Sequence, residues 1–228
     1  MYDTANEWAR GIIVRVISVQ VGQAKTYPLD EQGSRDNTWR SAFDKRPVNQ
    51  STRVEVHGLV GDEQADMKHH GGPDKAVLLY AFRHYDEWKS RYAALDLQPG
   101  AFGENLTVES LDETYVCVGD VFRVGDVVLE IAQPRIPCWK ISKRWREETL
   151  ADAVRSSGKT GWYARVKEAG TVKAGDALER LHHPFPQFTI ARLNDLLFHR
   201  EPFTSALVDE LAACTPLADA WKANLLRG

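Results

Sequence analysis

The chain has 228 residues, enough for one large domain or for one domain with a small appendage. Hydrophobic residues make up 43% and charged residues 27%, as in globular proteins, and the net charge of −3 gives no overall attraction to nucleic acid or anionic membranes. No apolar run is long enough to span a membrane and residues 1–15 lack a secretory signal pattern, so we expect a cytoplasmic protein with reduced thiols.

β-strand patterns dominate the first two-thirds of the chain, where β-branched residues are frequent and glycine-aspartate pairs mark turns. The predicted strand segments are 11–21, 53–60, 76–82, 121–133 (two strands joined at Gly125-Asp126), 162–168 and 177–182. Helices are predicted near 84–95 and near 146–157, the second ended by Gly158. Many short strands with frequent turns favour a closed or nearly closed barrel, so the predicted fold class is mainly β, a barrel with a few inserted helices.

Residues 61–75 (GDEQADMKHHGGPDK) combine acidic side chains and lysines with a histidine pair and a glycine pair. Gly71 and Gly72 let the main chain approach a ligand closely and present N–H groups to an anion, although neither a Walker nor a Rossmann spacing is present. An ordinary solvated loop explains the segment equally well. Because adjacent side chains of an extended chain point to opposite sides, His69 and His70 would rarely bind the same ion.

Residues 99–107 (PGAFGENLT) form a weaker candidate. The amide of Asn105 can both donate and accept hydrogen bonds at the edge of a heterocycle. A glycine-rich turn before a strand is the commoner explanation of such a segment. Residues 160–163 (TGWY) are open to two interpretations as well, since their aromatic side chains could line a pocket or belong to the core.

Residues 133–144 (QPRIPCWKISKR) contain the sharpest candidate, Cys138. Pro134 and Pro137 stiffen the backbone before it, so its sulfur lies on a rigid loop at the end of a strand. The neighbouring cations are Arg135, Lys140, Lys143 and Arg144. Cations near a thiol favour the thiolate, a soft metal ligand. The alternative is a buried structural cysteine. Because Cys117 and Cys214 are too far away in sequence to complete a zinc or iron–sulfur quartet, a functional cysteine would act alone.

The composition changes after residue 183, and residues 184–186 (PFP) predict an extended linker. Three short helical patterns follow, with Thr189, Thr204 and Thr215 as candidate N-caps. A bundle this small is not expected to be stable alone, so it should dock on the barrel or on a partner. The predicted domains are a barrel domain of residues 1–183 and a three-helix domain of residues 184–228.

Five segments in this order resemble the MOSC-domain family, named after the C-terminal domain of molybdenum cofactor sulfurase. They are GLVGDEQADMKHHGGPDKAVLLY, PGAFGENLTVE, VCVGDVFRVGD, QPRIPCWKI and SGKTGWYARV. Within the family the chain is most similar to the YiiM-type proteins, described as 6-N-hydroxylaminopurine-resistance proteins. The resemblance covers roughly residues 10–182, and the C-terminal segment resembles the three-helix appendage of that group.

The resemblance implies a MOSC-type β-barrel that holds a molybdenum cofactor (molybdopterin), with Cys138 as the protein's metal ligand. The implied cofactor-binding residues are His69, His70, Gly71, Gly72, Lys75, Asn105 and Arg135, to which we add Lys140. The implied activity is a detoxifying reduction of N-hydroxylated bases and amines, such as 6-N-hydroxylaminopurine, to the amine. Cys138, His70 and Asp62 are the candidate catalytic residues, and His69, His70 or Asp62 could donate protons.

Electrons would have to come from a separate reductase, because the sequence has no iron–sulfur, haem or dinucleotide motif. The C-terminal helices could bind that electron donor, cover the barrel as a lid or form a homodimer contact. We expect a small-molecule substrate and neither a nucleic acid polymer nor a membrane as partner. Two other functions stay open, namely a non-catalytic cofactor carrier or sulfur-handling module, and a small-metal hydrolase built on Asp62, Asp66 and the histidine pair.

Overall fold

The computed structural model describes residues 14–29, 38–67, 71–198 and 204–226. Residues 11–13 of the first predicted strand lie outside these ranges. The strands are β1 Val14–Val21, β2 Lys25–Pro28, β3 Thr38–Ser41, β4 Arg46–Pro47, β5 Thr52–Glu55, β6 Gly58–Leu59, β7 Val77–Ala81, β8 Leu106–Val108, β9 Val121–Val124, β10 Val127–Pro134, β11 Trp162–Glu168, β12 Gly170–Val172 and β13 Ala177–His182. The helices are α1 His84–Arg91, α2 Lys140–Trp145, α3 Leu150–Ser157, α4 Ile190–Phe198, α5 Ser205–Ala213 and α6 Asp219–Leu226.

Seven strands close into a barrel in the order β13, β9, β10, β11, β7, β8 and β1, and β1 pairs back to β13. The barrel pairings are antiparallel except that of β7 with β8, which is parallel because the chain crosses over through α1 between them. The prediction of a mainly β barrel with a few inserted helices is therefore confirmed.

Local sequence explains several of the barrel strands. In β1, Val14 and Val16 are buried whereas Arg15 and Ile17 are exposed, as alternation predicts for a strand with one wet face. The apolar run of β7 is buried throughout. The predicted hairpin at Gly125-Asp126 joins β9 to β10, and Gly125 adopts a positive φ of 58° there.

Three local predictions differ from the structure. The segment 53–60 is a hairpin instead of one strand, because Gly58, with a φ of 122°, reverses the chain so that β6 pairs with β5. The glycine-containing turn before β13 includes β12, which pairs with β5. Helix α2 starts directly after the cysteine loop, where no helix was predicted.

The three C-terminal helices pack on the barrel. Leu193, Leu211 and Trp221 belong to the same buried apolar cluster as the barrel interior. The Ala218 N–H donates to the Ala132 carbonyl of β10 at 3.0 Å. The predicted docking on the barrel is thus observed, while the division into two domains stays a prediction. Within the described ranges, the helices are too short or too polar to cross a bilayer.

Two of the three predicted helix caps are observed. Thr189 Oγ1 accepts a hydrogen bond from the Arg192 N–H at the start of α4, and Thr204 accepts one from the Leu207 N–H at the start of α5. Helix α6 begins at Asp219, after a turn that contains Thr215, and not directly after Thr215 as predicted. These caps fix where the helices begin, and hence which apolar faces meet the barrel.

Candidate functional site

The structure describes eight of the residues that the sequence predicted as catalytic or cofactor-binding. Six of these eight line one cavity. It lies beyond the end of β10, and chain segments far apart in sequence form its walls. It encloses about 680 Å³ of space outside the protein atoms, including the open solvent at its mouth. The predicted residues that line it are Asp62, Lys75, Asn105, Arg135, Cys138 and Lys140.

Cys138 is the reachable cysteine of the three, all of which the structure describes. Its side chain is half-buried at the cavity wall, between buried Pro137 and the first turn of α2. Cys117 and Cys214 are both buried. Burial raises the pKa of the Cys117 thiol to about 12 and also raises that of Cys214, so both stay protonated at neutral pH. A ligand in the cavity can therefore meet Cys138 and neither of the others.

Arg135 places a positive charge inside the protein. Its residue is 4% exposed, and its Nη1 has no hydrogen-bond partner within the described ranges. The guanidinium lies over the Phe43 ring at 5.9 Å and beside Tyr163. Burial raises the pKa of Tyr163, and the Arg135 charge opposes that shift. A buried cation with an unused donor fits an anionic ligand, because leaving that donor unpaired is unfavourable.

Lys45, which the sequence analysis did not single out, forms the centre of a buried polar network. Lys45 and Asp62 make an ion pair in which each side chain is 8% exposed. Asp62 also accepts hydrogen bonds from the Gly22 N–H at 2.7 Å and from the Asn105 amide at 2.8 Å. Asn105 Oδ1 in turn accepts from the Leu78 N–H at 3.1 Å. Burial lowers the pKa of Lys45, and Asp62 opposes that shift.

The Asp62 carboxylate acts in this structure as a hydrogen-bond acceptor that fixes Lys45 and Asn105 at the cavity wall. The segment that holds Lys45 joins β3 to β4 and carries no sequence motif. Its partners are distant in sequence, so periodicity and spacing gave no signal for it. The sequence predicts Tyr163 only as one of two aromatic residues in the TGWY segment that could line a pocket or belong to the core. The structure separates the two aromatics there, since Trp162 is buried in the core and Tyr163 lines the cavity.

Gly71 and Gly72, which were predicted to bind the cofactor, are not among the residues that line the cavity, and Lys68, His69 and His70 lie outside the described residues. Gly72 has a φ of 94°, and its N–H donates to Gln64 Oε1 at 3.0 Å. That amide is therefore engaged within the protein. Lys75 lines the cavity, and burial lowers its pKa against the opposing charges of Asp66 and Asp74.

The cations near Cys138 in sequence separate in space. Lys140 lines the cavity together with Arg135. Lys143 Nζ instead lies 3.5 Å from the Leu29 carbonyl, and Arg144 pairs with Asp44 at 2.8 Å. Lys45 and Lys75 take their place, so the cavity has four cations among its lining residues. Three carboxylates, those of Asp62, Glu63 and Asp66, also line the cavity, and Asp62 is paired with Lys45.

The segment 99–107 serves mainly to build the cavity wall. Glu104 is fully buried and accepts hydrogen bonds from the Gly100 and Phe102 N–H groups and from the Thr107 hydroxyl. This network holds Asn105, the next residue, against β7. The segment thus forms a glycine-rich turn, as the commoner explanation predicts, and Asn105 lines the cavity, while its role in binding stays a prediction.

Comparison with known proteins identifies similar sequences along nearly the whole chain. The family profile described as the MOSC domain matches residues 66–179. The YflK protein of Bacillus subtilis is 34% identical over 93% of each chain, and the YiiM protein of Escherichia coli is 32% identical over 90% of this chain and 88% of its own. A Gibberella moniliformis protein named "Reductase" is 30% identical over 94% of this chain, which corresponds to 36% of that longer protein.

Solved structures show the same fold. The crystal structure of YiiM from Geobacillus stearothermophilus has a TM-score of 0.77 and 28% identity, covering 94% of this chain and 98% of that one. YiiM from Escherichia coli has a TM-score of 0.74 and 26% identity, covering 95% and 92%. These coverages include the C-terminal helices, so the similarity extends beyond the barrel.

Proposed function

Because this chain belongs to the MOSC-domain family, we propose that it binds a molybdenum cofactor through Cys138 and reduces N-hydroxylated bases and amines. MOSC-domain membership and the reductase name of one relative support an oxidoreductase-like function. The relatedness to YiiM proteins supports substrates such as 6-N-hydroxylaminopurine, whose reduction would give resistance to these toxic analogues.

The observation that carries the proposal is a reachable thiol that lines the same cavity as a buried guanidinium whose Nη1 has no hydrogen-bond partner within the described ranges. The molybdenum cofactor combines a metal that binds thiolates with a phosphate on the pterin, so a cysteine ligand and nearby cations suit it. Cys138 offers the first, and Arg135 with its unpartnered Nη1 offers part of the second. The residues present therefore fit the group.

Each residue at the cavity would have a separate role in this proposal. Cys138 would bind the metal as a thiolate, and Arg135, Lys75 and Lys140 would bind the anionic part of the cofactor. The Lys45–Asp62–Asn105 network would keep the wall rigid, so that the substrate meets a fixed surface. When bound, a molybdenum cofactor would supply the two-electron chemistry that amino acid side chains cannot supply.

The reduction also needs proton donors at the cavity. The reaction R–NHOH + 2 H⁺ + 2 e⁻ → R–NH₂ + H₂O consumes two protons at the cavity. Asp62 accepts hydrogen bonds from its partners, which favours a positioning role over proton donation. We therefore prefer His70 or His69 as the donor, and the Nζ of Lys45 holds a further proton at the cavity wall.

Electron delivery needs a separate reductase in this proposal. The matched fungal relative is much longer than the aligned region, and it carries the name of a reductase. This supports a division in which this chain holds the substrate site and another protein supplies electrons.

Metal analysis combined with turnover tests the proposal. The chain is purified from cells that synthesise molybdopterin, and molybdenum is measured per chain before and after Cys138→Ala. Turnover of 6-N-hydroxylaminopurine is then measured with a reduced viologen dye as donor. We expect about one molybdenum per chain and turnover in the unmodified protein, and loss of both in the variant.

A control variant distinguishes the effect of a residue that lines the cavity from that of a residue outside it. Lys143→Ala removes a cation close to Cys138 in sequence but directed away from the cavity, so it should keep molybdenum and turnover. Metal without turnover under any donor would favour the cofactor carrier. If Cys138→Ala retained molybdenum and full activity, Cys138 would not be the metal ligand.

A further inference from the structure

A second group of ligand-type side chains lies apart from the cavity, where the barrel meets the linker to the C-terminal helices. A sulfur of Cys117, a carboxylate oxygen of Asp120 and a ring nitrogen of His183 all lie within 4.8 Å of one another. Strand pairing brings them together, because β9 starts directly after Asp120 and β13 ends directly before His183. The pairing of Val121 with His182 then sets the two segments side by side.

The group is polar inside and open at one edge. The Asp120 side chain is fully buried and accepts hydrogen bonds from the Cys117 N–H at 3.0 Å and from His183 Nδ1 at 2.5 Å. The His183 side chain is 34% exposed, which gives a small ion a route from solvent. Cys117 Sγ also lies 3.6 Å from the Pro186 carbonyl oxygen.

We propose that Cys117, Asp120 and His183 bind a divalent transition-metal cation of the zinc type. Zinc takes thiolate sulfur, imidazole nitrogen and carboxylate oxygen, which are the three ligand types present here. Among the described residues, this is the group of three such side chains close enough to share an ion. The exposed edge of His183 leaves a fourth ligand position to water.

Proton release accompanies binding at this group. Burial, together with the Asp120 charge, raises the pKa of Cys117 to about 12, so the thiol is protonated before the metal arrives. On binding, the sulfur–metal bond replaces the S–H bond of Cys117, and the metal takes the place of any proton on the ring nitrogen of His183 that binds it. The displaced protons pass to solvent, since a coordinated thiol or imidazole nitrogen is deprotonated. The thiolate then offsets the repulsion between the cation and Arg180, which lies 3.8 Å from Asp120.

A metal at this position would fasten the linker to the barrel. Around the group the chain is already tightly packed, because a side chain at Gly119 would meet Pro184, Phe185 and Pro216 at 3.0–3.1 Å. An ion held by Asp120, directly before β9, and by His183, directly before the linker, would tie these two segments together. The C-terminal helices, which follow the linker, would become harder to detach.

Cobalt spectroscopy tests the site on the full chain. Co²⁺ bound to a thiolate gives a near-ultraviolet charge-transfer band, and the titration is run in a Cys138→Ala background so that the cavity thiol cannot contribute. We expect the band to appear, to be lost with Cys117→Ala or with His183→Gln, and to persist with Cys214→Ala. No band in the Cys138→Ala protein, or a band retained in either of the two site variants, would overturn the proposal.

Thermal unfolding gives a second readout that does not require changing a buried residue. Zn²⁺ should raise the melting temperature of the unmodified chain, and this shift should be absent in His183→Gln. His182→Gln is the matched control, since His182 is the neighbouring histidine and lies outside the group. An equal shift in both variants would show that zinc stabilises the protein elsewhere and would also overturn the proposal.

Discussion

At the scale of single residues, Arg135 shows that the cavity is built for binding at the expense of stability. A buried guanidinium whose Nη1 has no partner within the described ranges raises the free energy of the empty protein. An anionic ligand would satisfy that donor, so the same residue should affect stability and binding in opposite directions.

We predict that Arg135→Met raises the free energy of unfolding of the cofactor-free chain by about 1–3 kcal/mol. The methionine retains the apolar contact with Phe43, and it removes the unpaired charge. The same variant should lose bound cofactor when produced in cells that make molybdopterin. Urea unfolding and molybdenum analysis measure the two effects. A strong loss of stability without cofactor would mean that the guanidinium has a protein partner.

The Lys45–Asp62 pair should behave in the opposite way, because both of its charges are paired and buried. Lys45→Met leaves the Asp62 carboxylate without its cation and should lower the free energy of unfolding by about 3–5 kcal/mol. The double variant Lys45→Met with Asp62→Asn should recover part of this loss. A double-mutant cycle from urea unfolding measures the coupling, and additive effects of the two changes would rule out a direct energetic link.

At the scale of elements, substitutions at two nearby glycines distinguish the cost of backbone strain from the cost of steric crowding. Gly158 ends α3 with a φ of 69° and nothing within 4 Å of an added side chain, whereas Gly161, with a φ of 77°, would place one 2.6 Å from the Leu79 carbonyl of β7. Gly161 also accepts a hydrogen bond from the Arg135 N–H, so it connects β11 to the cavity.

We predict that Gly158→Ala costs about 1 kcal/mol, from backbone strain alone. Gly161→Ala should cost about 3 kcal/mol or more, because strain and a backbone clash act together. Only the second variant should also reduce cofactor content, since it shifts Tyr163 and Arg135. Equal effects of the two changes on unfolding would show that the contact with β7 relaxes freely.

Elements whose causes are local could be predicted from the sequence, and those that depend on distant pairing could not. The apolar run of β7, the turn at Gly125 and the cap at Gly158 each follow from a few neighbouring residues. Strand β12 exists because it finds β5, more than 100 residues earlier in the chain. The residues next to β12 in sequence therefore did not predict this strand.

The candidate site divides in the same way. Cys138, Arg135 and Asn105 stand in recognisable segments, so a family resemblance reached them from sequence. Lys45 has a buried ionic partner only because Asp62, which also accepts a hydrogen bond from Asn105, comes from another segment and meets it in the folded chain. A charged residue in a loop without a sequence motif is predicted to be exposed to solvent. Residue spacing therefore could not identify Lys45 as part of the site.

At the scale of the whole molecule, the C-terminal helices and the barrel share one buried apolar cluster. Helix α4 also reaches the loop that leads into the cavity wall. The Asn194 amide donates to the Gly158 carbonyl at 3.0 Å and to Thr160 Oγ1 at 2.9 Å. The helices therefore support the segment that carries Gly161 and Tyr163, and they share buried apolar contacts with the barrel across the predicted domain boundary near residue 183.

We predict that the chain unfolds in one cooperative transition, because a continuous core leaves no separately stable unit. A chain ending at residue 183 should expose barrel apolar surface and bind a hydrophobic dye. Within the full chain, Asn194→Ala should lower the free energy of unfolding by about 1–3 kcal/mol, since Thr160 Oγ1 and the Gly158 carbonyl lose their donor. Far-ultraviolet circular dichroism reports on all helices and strands, and hydrogen exchange of α6 amides reports on the appendage alone. We expect the α6 amides to exchange with the same free energy of opening as the global unfolding seen by circular dichroism. A lower free energy of opening for α6 would show that the appendage detaches first and that the two predicted domains are separate folding units.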